Sequence, residues 1–273
     1  MKTPATKPGK LSGLGIRRRK SLVYLLALGA MGAGVPAAAA RRKIRVLAWS
    51  ERTEPPEIYP QGINGALVEM LNRQKGIEAR ATGIADPDQG VSESDLSATD
   101  VLIWFGHRHH KAISDESVGR IVRHVERRGM GYIALHSSHY ALPFQRIVGI
   151  LAERRGTPLE GAIGRWGRVR NEGRLERIHV LLPKHPIAKG IDDFTIPRTE
   201  TYWNPFNVAP PDAKIFEGKY EGAQQDGEDG LLWSFGKGKM FYFRPGHETY
   251  PIYFQPEVQQ VLTNAVLFLA RGK

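Results

Sequence analysis

From Lys43 onward, short apolar runs alternate with amphipathic stretches. Lys43 to Trp49 is rich in β-branched and apolar residues and has the length of a strand. Gly62 to Gln74 then sets Ile63, Ala66, Leu67, Met70 and Leu71 at helical spacing. Ile77 to Thr82 and Asp100 to Phe105 predict a second and third strand, and Gly131 to Leu135 a fourth. Between the last two, Asp115 to Arg128 predicts a helix with Val118, Ile121, Val122 and Val125 turned inward. Strands that are apolar throughout, alternating with helices, predict an α/β fold of flavodoxin-like type. Its central sheet is expected to be mostly parallel and covered on both faces.

After Phe144 the pattern is less regular. Arg177 to Leu182 and Lys214 to Tyr220 read as strands, as do two runs around Gly236-Lys237-Gly238 within Leu231 to Phe243. Glu257 to Ala270 closes the chain as a helix with Val258, Val261, Leu262, Ala265, Val266 and Leu269 inward. No internal repeat is visible.

The first 40 residues read differently. A basic stretch ending in Arg17-Arg18-Arg19-Lys20 precedes an almost wholly apolar run over residues 22 to 35 and a small-residue segment ending at Ala40. This is the pattern of a cleaved signal segment, residues 1–40, before a single domain over residues 41–273. Arg18 to Leu22 fits a twin-arginine signal, against an ordinary secretory signal. The expected location is periplasmic or secreted, with an uncleaved membrane anchor as the alternative.

That leader also distorts the charge. It holds seven of the 39 Lys/Arg and no acid, so the remainder carries 32 basic against 28 acidic residues. Such a mildly basic domain, with no basic helix carrying interleaved aromatics, gives no reason to expect a nucleic-acid partner. The chain has no cysteine, which excludes disulfides, thiolate metal sites and a cysteine nucleophile.

In open α/β sheets ligands bind beyond the carboxyl ends of the strands. Six of the nine histidines stand at three such ends: His107, His109 and His110 after the third strand, His136 and His139 after the fourth, and His247 beside Glu248 near Met240 to Phe243. Each cluster also has an ordinary structural reading, as a solvated basic turn, a helix cap or a Pro-Gly turn. Their convergence favours a pocket. His124, His179 and His185 read as structural, His185 as a turn or capping residue.

At these clusters the sequence resembles the trehalose-utilisation, or ThuA-like, family over most of residues 43 to 270. The carrying segments are Trp104 to His110, Ala134 to His139, His185 to Ile191, Glu200-Thr201-Tyr202 with Pro205-Phe206, and Phe241 to Pro251. The resemblance implies a class I glutamine amidotransferase-like three-layer sandwich, with a sharp turn after the fourth strand where amidotransferases keep their cysteine. Here His136-Ser137-Ser138 occupies that turn, so glutaminase chemistry is excluded, and a serine nucleophile would need a paired base. The chain departs from the family pattern at Ser138, at Trp203-Asn204 and around Gly164 to Gly167, which bears on substrate identity.

The resemblance implies carbohydrate catabolism, with a disaccharide, glycoside or oxidised sugar as the small-molecule partner and hydrolysis or elimination as the reaction. His107, His136, His139, His247 and Glu248 are the candidate catalytic residues. His109, Trp166, Glu200, Tyr202, Arg244 and Tyr250 are candidates for binding the sugar. As a cofactor, a divalent metal could be held by His107, His110 and His136, with Glu248 as ligand or base. Without metal, a near-neutral histidine would move protons, with Glu200 or Glu248 as partner. Other readings are a non-catalytic sugar-binding protein or a partner of a sugar oxidoreductase.

Overall fold

A computed structural model describes residues 42–220 and 227–270. The expected signal segment lies outside the described residues. Among the described residues no helix is long and apolar enough to cross a membrane.

The first half alternates strands and helices: β1 (Ile44–Ser50), α1 (Gly62–Asn72), β2 (Ile77–Gly83), α2 (Glu93–Ser97), β3 (Val101–Phe105), α3 (Asp115–Arg128), β4 (Gly131–Leu135) and α4 (Leu142–Arg154). Four strands then follow in succession, β5 (Trp166–Val180), β6 (Phe194–Phe206), β7 (Ala213–Tyr220) and β8 (Gly227–Phe235). The last two elements are β9 (Gly238–Phe243) and α5 (Pro256–Leu269).

All nine strands form one sheet, ordered β2-β1-β3-β4-β9-β8-β7-β5-β6. β1 pairs in parallel with β2 and β3, β3 with β4, and β4 with β9. The four pairings from β9 through β8, β7 and β5 to β6 are antiparallel. The sheet is therefore mixed, and the expectation of a mostly parallel one is corrected. The reason lies in the connections: β7, β8 and β9 follow one another without crossover helices, and short connections permit only antiparallel neighbours.

Alternation along β1 divides the core. Val46 and Ala48 face a cluster with α1 and α5, while Leu47 and Trp49 face another with α3 and α4. These are the two helical layers of a sandwich. The inward residues predicted for α1, α3 and α5 are all buried.

Four elements escaped the sequence pattern, the five-residue α2 among them. α4 begins with Pro143 in its first turn, where proline fits a helix, and buries Phe144, Ile147, Val148, Leu151 and Ala152. The first half of β5 is almost wholly exposed and shows no alternation. β6 contains Pro197 and Pro205, which read as breaks but are tolerated on an edge strand.

Candidate active site

The parallel strands end together. β1 runs into Glu51, β3 into Gly106-His107, β4 into His136, and β9 into Arg244 to Glu248. Three of the five non-glycine residues with positive φ among the described residues follow these ends: Arg52 (59°), His136 (51°) and His247 (146°). Such conformations cost on the order of 1–3 kcal/mol each and persist where the surroundings enforce them. Two glycines let the segments close on one another. A Cβ on Gly106 would lie 2.9 Å from Glu51 Oε1, and one on Gly246 would lie 2.5 Å from the His136 Cβ.

His107, His136, His247 and Glu200 come together here, each offering one donor atom, and all four atoms lie within 4.8 Å of one another. Glu200 comes from β6, in the antiparallel part of the sheet. The ring of His107 lies 4.6 Å from that of His247 and 5.7 Å from that of His136, centroid to centroid.

Each of these groups is held from behind. Glu248 Oε1 lies 3.2 Å from His107 Nδ1 and accepts from Arg108 Nε at 3.1 Å, while Thr53 donates to Glu248 Oε2 at 2.7 Å. Burial opposes ionisation of Glu248, but His107, Thr53 and Arg108 outweigh it and hold the carboxyl at about 2. His136 Nδ1 lies 3.3 Å from the Arg244 carbonyl, and its Nε2 lies 3.0 Å from Glu200 Oε2. Burial keeps His136 below the ordinary imidazole range despite the pull of Glu200. Glu200 is held at about 2, against the effect of its burial, by His136 and by the Tyr202 hydroxyl, which donates to Oε2 at 2.7 Å. His247 Nδ1 lies 2.8 Å from Thr249 Oγ1, and burial followed by the neighbouring imidazoles brings His247 down to about 4.

His136 thus stands between two acceptors, a backbone carbonyl and a carboxylate. A neutral imidazole carries one N–H and can satisfy one of them. The other contact needs a second proton on the ring or a cation on the remaining nitrogen.

Several expected roles change. Arg244 is fully buried and ion-paired to Glu176 and Asp229, so its guanidinium ties β9 to β5 and β8 and does not reach a substrate. Trp166 is buried in the core, stacked on Phe206 at 4.0 Å and 4°, and is not a sugar platform. Tyr202 is also buried and orients Glu200. His139 lies behind the cluster in an aromatic cage that includes Tyr202 and Phe206, with Nδ1 2.7 Å from the Gly164 carbonyl. His110 lies outside the four-residue group, its ring 5.8 Å from that of Tyr140, and His109 is exposed. Ser137 and Ser138 donate to the carbonyls of Gly106 and Trp104, which commits both hydroxyl protons away from any base. Tyr250 donates to Asn171 Oδ1 at 2.7 Å, beside His247. His185 accepts from the Ile187 N–H at 3.2 Å, the capping role expected of it.

Two contributors were missed. Glu51 Oε2 accepts three successive backbone N–H groups, from His107, Arg108 and His109, at 3.0, 2.7 and 2.8 Å. It directly follows β1, so the strand-end rule that selected the histidines could have found it. Asn171, whose Nδ2 lies 3.0 Å from His247 Nε2, sits at an irregularity in β5 and carried no signal.

The family model described as trehalose utilisation, ThuA, matches residues 45–269. The chain belongs to the ThuA family. Among solved structures it is similar to a putative ThuA-like protein from Parabacteroides merdae, at TM-score 0.61 and 16% identity over 85% of this chain and 91% of that one. A putative ThuA-like protein from Bacteroides uniformis gives TM-score 0.57, also at 16% identity, over 85% and 94%. A cytoplasmic protein from Salmonella typhimurium gives 0.56, at 16% identity over 83% and 99%. These likenesses bear on the fold alone. No curated protein matches this ThuA chain in sequence.

Proposed function

We propose that this ThuA protein is a carbohydrate-processing enzyme whose His107, His136, His247 and Glu200 hold a divalent first-row metal ion. The carrying observation is the position of His136 between the Arg244 carbonyl and Glu200. Burial disfavours the imidazolium that would satisfy both, whereas a cation on Nε2 leaves Nδ1–H free to donate to the carbonyl. The arrangement behind the ligands agrees with this reading: His107 backed by Glu248, His136 by a carbonyl and Glu200 by Tyr202 are the outer partners that fix ligand orientation in metal sites. Three imidazoles with one carboxylate suit a first-row transition ion better than calcium or magnesium. His110, assigned earlier to this ligand set, gives way to His247 and Glu200.

When bound, the ion would act as a Lewis acid on a sugar oxygen. The protein's own part is to keep His136 and His247 neutral and Glu200 ionised at neutral pH, and to hold the sugar against them. The family's description supports a role in carbohydrate metabolism, with a disaccharide, glycoside or keto sugar as substrate. The leader supports export.

A metal-free reading has one observation in its favour. The 3.0 Å contact between His136 Nε2 and Glu200 is itself the geometry of a proton-transfer dyad. The two readings separate on turnover of a neutral disaccharide and its keto-oxidised counterpart by native, chelated and metal-restored protein. Activity lost on chelation and recovered with metal is expected. Turnover unchanged by chelation would leave the dyad.

A further inference from the structure

Beside the cluster lies a cavity of about 460 Å³, lined by Arg108, His109, His110, Lys111, Ala112, Tyr140 and Gln145. Its volume falls in the range of roughly 300–1,000 Å³ usual for small-molecule sites. It adjoins the candidate centre through one loop, since His107 belongs to the cluster and the next four residues line the cavity.

The lining is chemically one-sided. Arg108, Lys111 and His109 bring cationic or imidazole groups, and no lining residue is acidic. Arg108 reaches back to Glu248, so that guanidinium is shared between the centre and the cavity. Gln145 Nε2 is committed to the Ile163 carbonyl. Tyr140 supplies a half-buried ring, a face suited to the apolar side of a sugar. Burial raises the Tyr140 phenol, Arg165 lowers it and Glu200 raises it again, so its hydroxyl feels both a further cation and a carboxylate of the centre.

We propose that this cavity is a subsite for an anionic sugar: Lys111 and Arg108 hold the carboxylate or phosphate of a substrate whose reacting group lies at His107, His136, His247 and Glu200. This rests on the proposed function for the location of the reacting group, but not for the binding of the anion. Together, the anionic group and the Tyr140 face would set the orientation of the sugar, and a neutral sugar would lack the first of them.

The test is calorimetric titration with D-glucuronate, D-glucose 6-phosphate and D-glucose at low salt. It is run on native protein, chelated protein and Lys111→Glu, with circular dichroism confirming that the variant is folded. Both anions should bind more tightly than glucose, and the preference should persist after chelation and weaken with added salt. In Lys111→Glu the anion affinity should fall by about three- to tenfold or more, the scale of one exposed ion pair or charge-assisted bond, with glucose unaffected. The ranking of glucuronate against glucose 6-phosphate distinguishes the two kinds of anion. Equal binding of anionic and neutral sugars, or a folded Lys111→Glu that keeps full anion affinity, would overturn the subsite. Anion preference in a protein that holds no metal would leave the subsite standing and sink the metal reading. Bound metal without anion preference would do the reverse.

Discussion

The two halves of the sheet do different work for the same site. The parallel half ends β1, β3, β4 and β9 in one plane and so delivers His107, His136, His247 and the supporting Glu51. The antiparallel half reaches around to supply Glu200 and Asn171, and is joined to β9 by the β8 ladder and, across β8 to β5, by the buried Arg244, Glu176 and Asp229 group. Topology alone brings the first set together, because strand ends in a parallel sheet converge. The second set depends on a specific buried ionic contact, and its failure should look different.

The largest effect is therefore expected from Arg244→Ala. It leaves two fully buried carboxylates without their cation, a loss of about 3–5 kcal/mol when one partner of a buried ionic group is removed. Denaturant unfolding should show it as a large drop in midpoint or as failure to fold. If stability changed by less than about 1 kcal/mol, the ionic group would not be what fastens the halves.

Next comes Glu51→Ala, within the parallel half. Three part-buried backbone N–H groups lose their shared carboxylate acceptor, and a hydrogen bond to a charged group contributes about 1.5–3 kcal/mol. Because those amides flank His107, metal affinity should also fall, by about 10- to 100-fold as for other outer-shell partners. A stability loss with unchanged metal affinity would make Glu51 purely structural.

Acid acts on both halves through their shifted groups. The depressed pKa of His247, about 4, means that below the unfolded value near 6.5 the unfolded chain takes up a proton that the folded one refuses. Its effect is nil above that pH, and stability falls between about 6.5 and 4. Glu200 and Glu248, both held at about 2, contribute stability above about 4.5 that is lost as pH falls toward 2. Unfolding measured against pH should show a loss beginning near 6.5, to which His110, His136 and His139 contribute because burial lowers them as well, and which is reduced in His247→Ala. An onset only below about 4.5 in the intact protein would exclude His247 as its source.

The smallest effect is expected at Ser137→Ala, about 1 kcal/mol for its bond to the Gly106 carbonyl, with turnover retained. A collapse of activity in a stable variant would restore a serine nucleophile.

The same division decides what could be read in the sequence. Strands β1, β3 and β4 are apolar on both faces and flanked by helices, so they announced themselves, and their ends carried the histidines. The antiparallel half announced little: β5 is exposed along most of its length, β6 carries two prolines, and nothing in the spacing of Glu176, Asp229 and Arg244 says that they meet. That is why Arg244 read as a substrate ligand and Asn171 went unnoticed. His110 and His139 misled for a different reason: a strand end brings a residue near the pocket, but its orientation decides whether the ring enters it.

The most direct measurement is the metal content of protein purified natively without chelator, compared with His136→Ala, Glu200→Gln and His110→Ala. About one ion per chain in the native protein and in His110→Ala, and a marked loss in the other two, is the expected result. Native protein that binds no divalent ion when supplied with one, or metal retained in full by both His136→Ala and Glu200→Gln, would contradict the assignment of the centre.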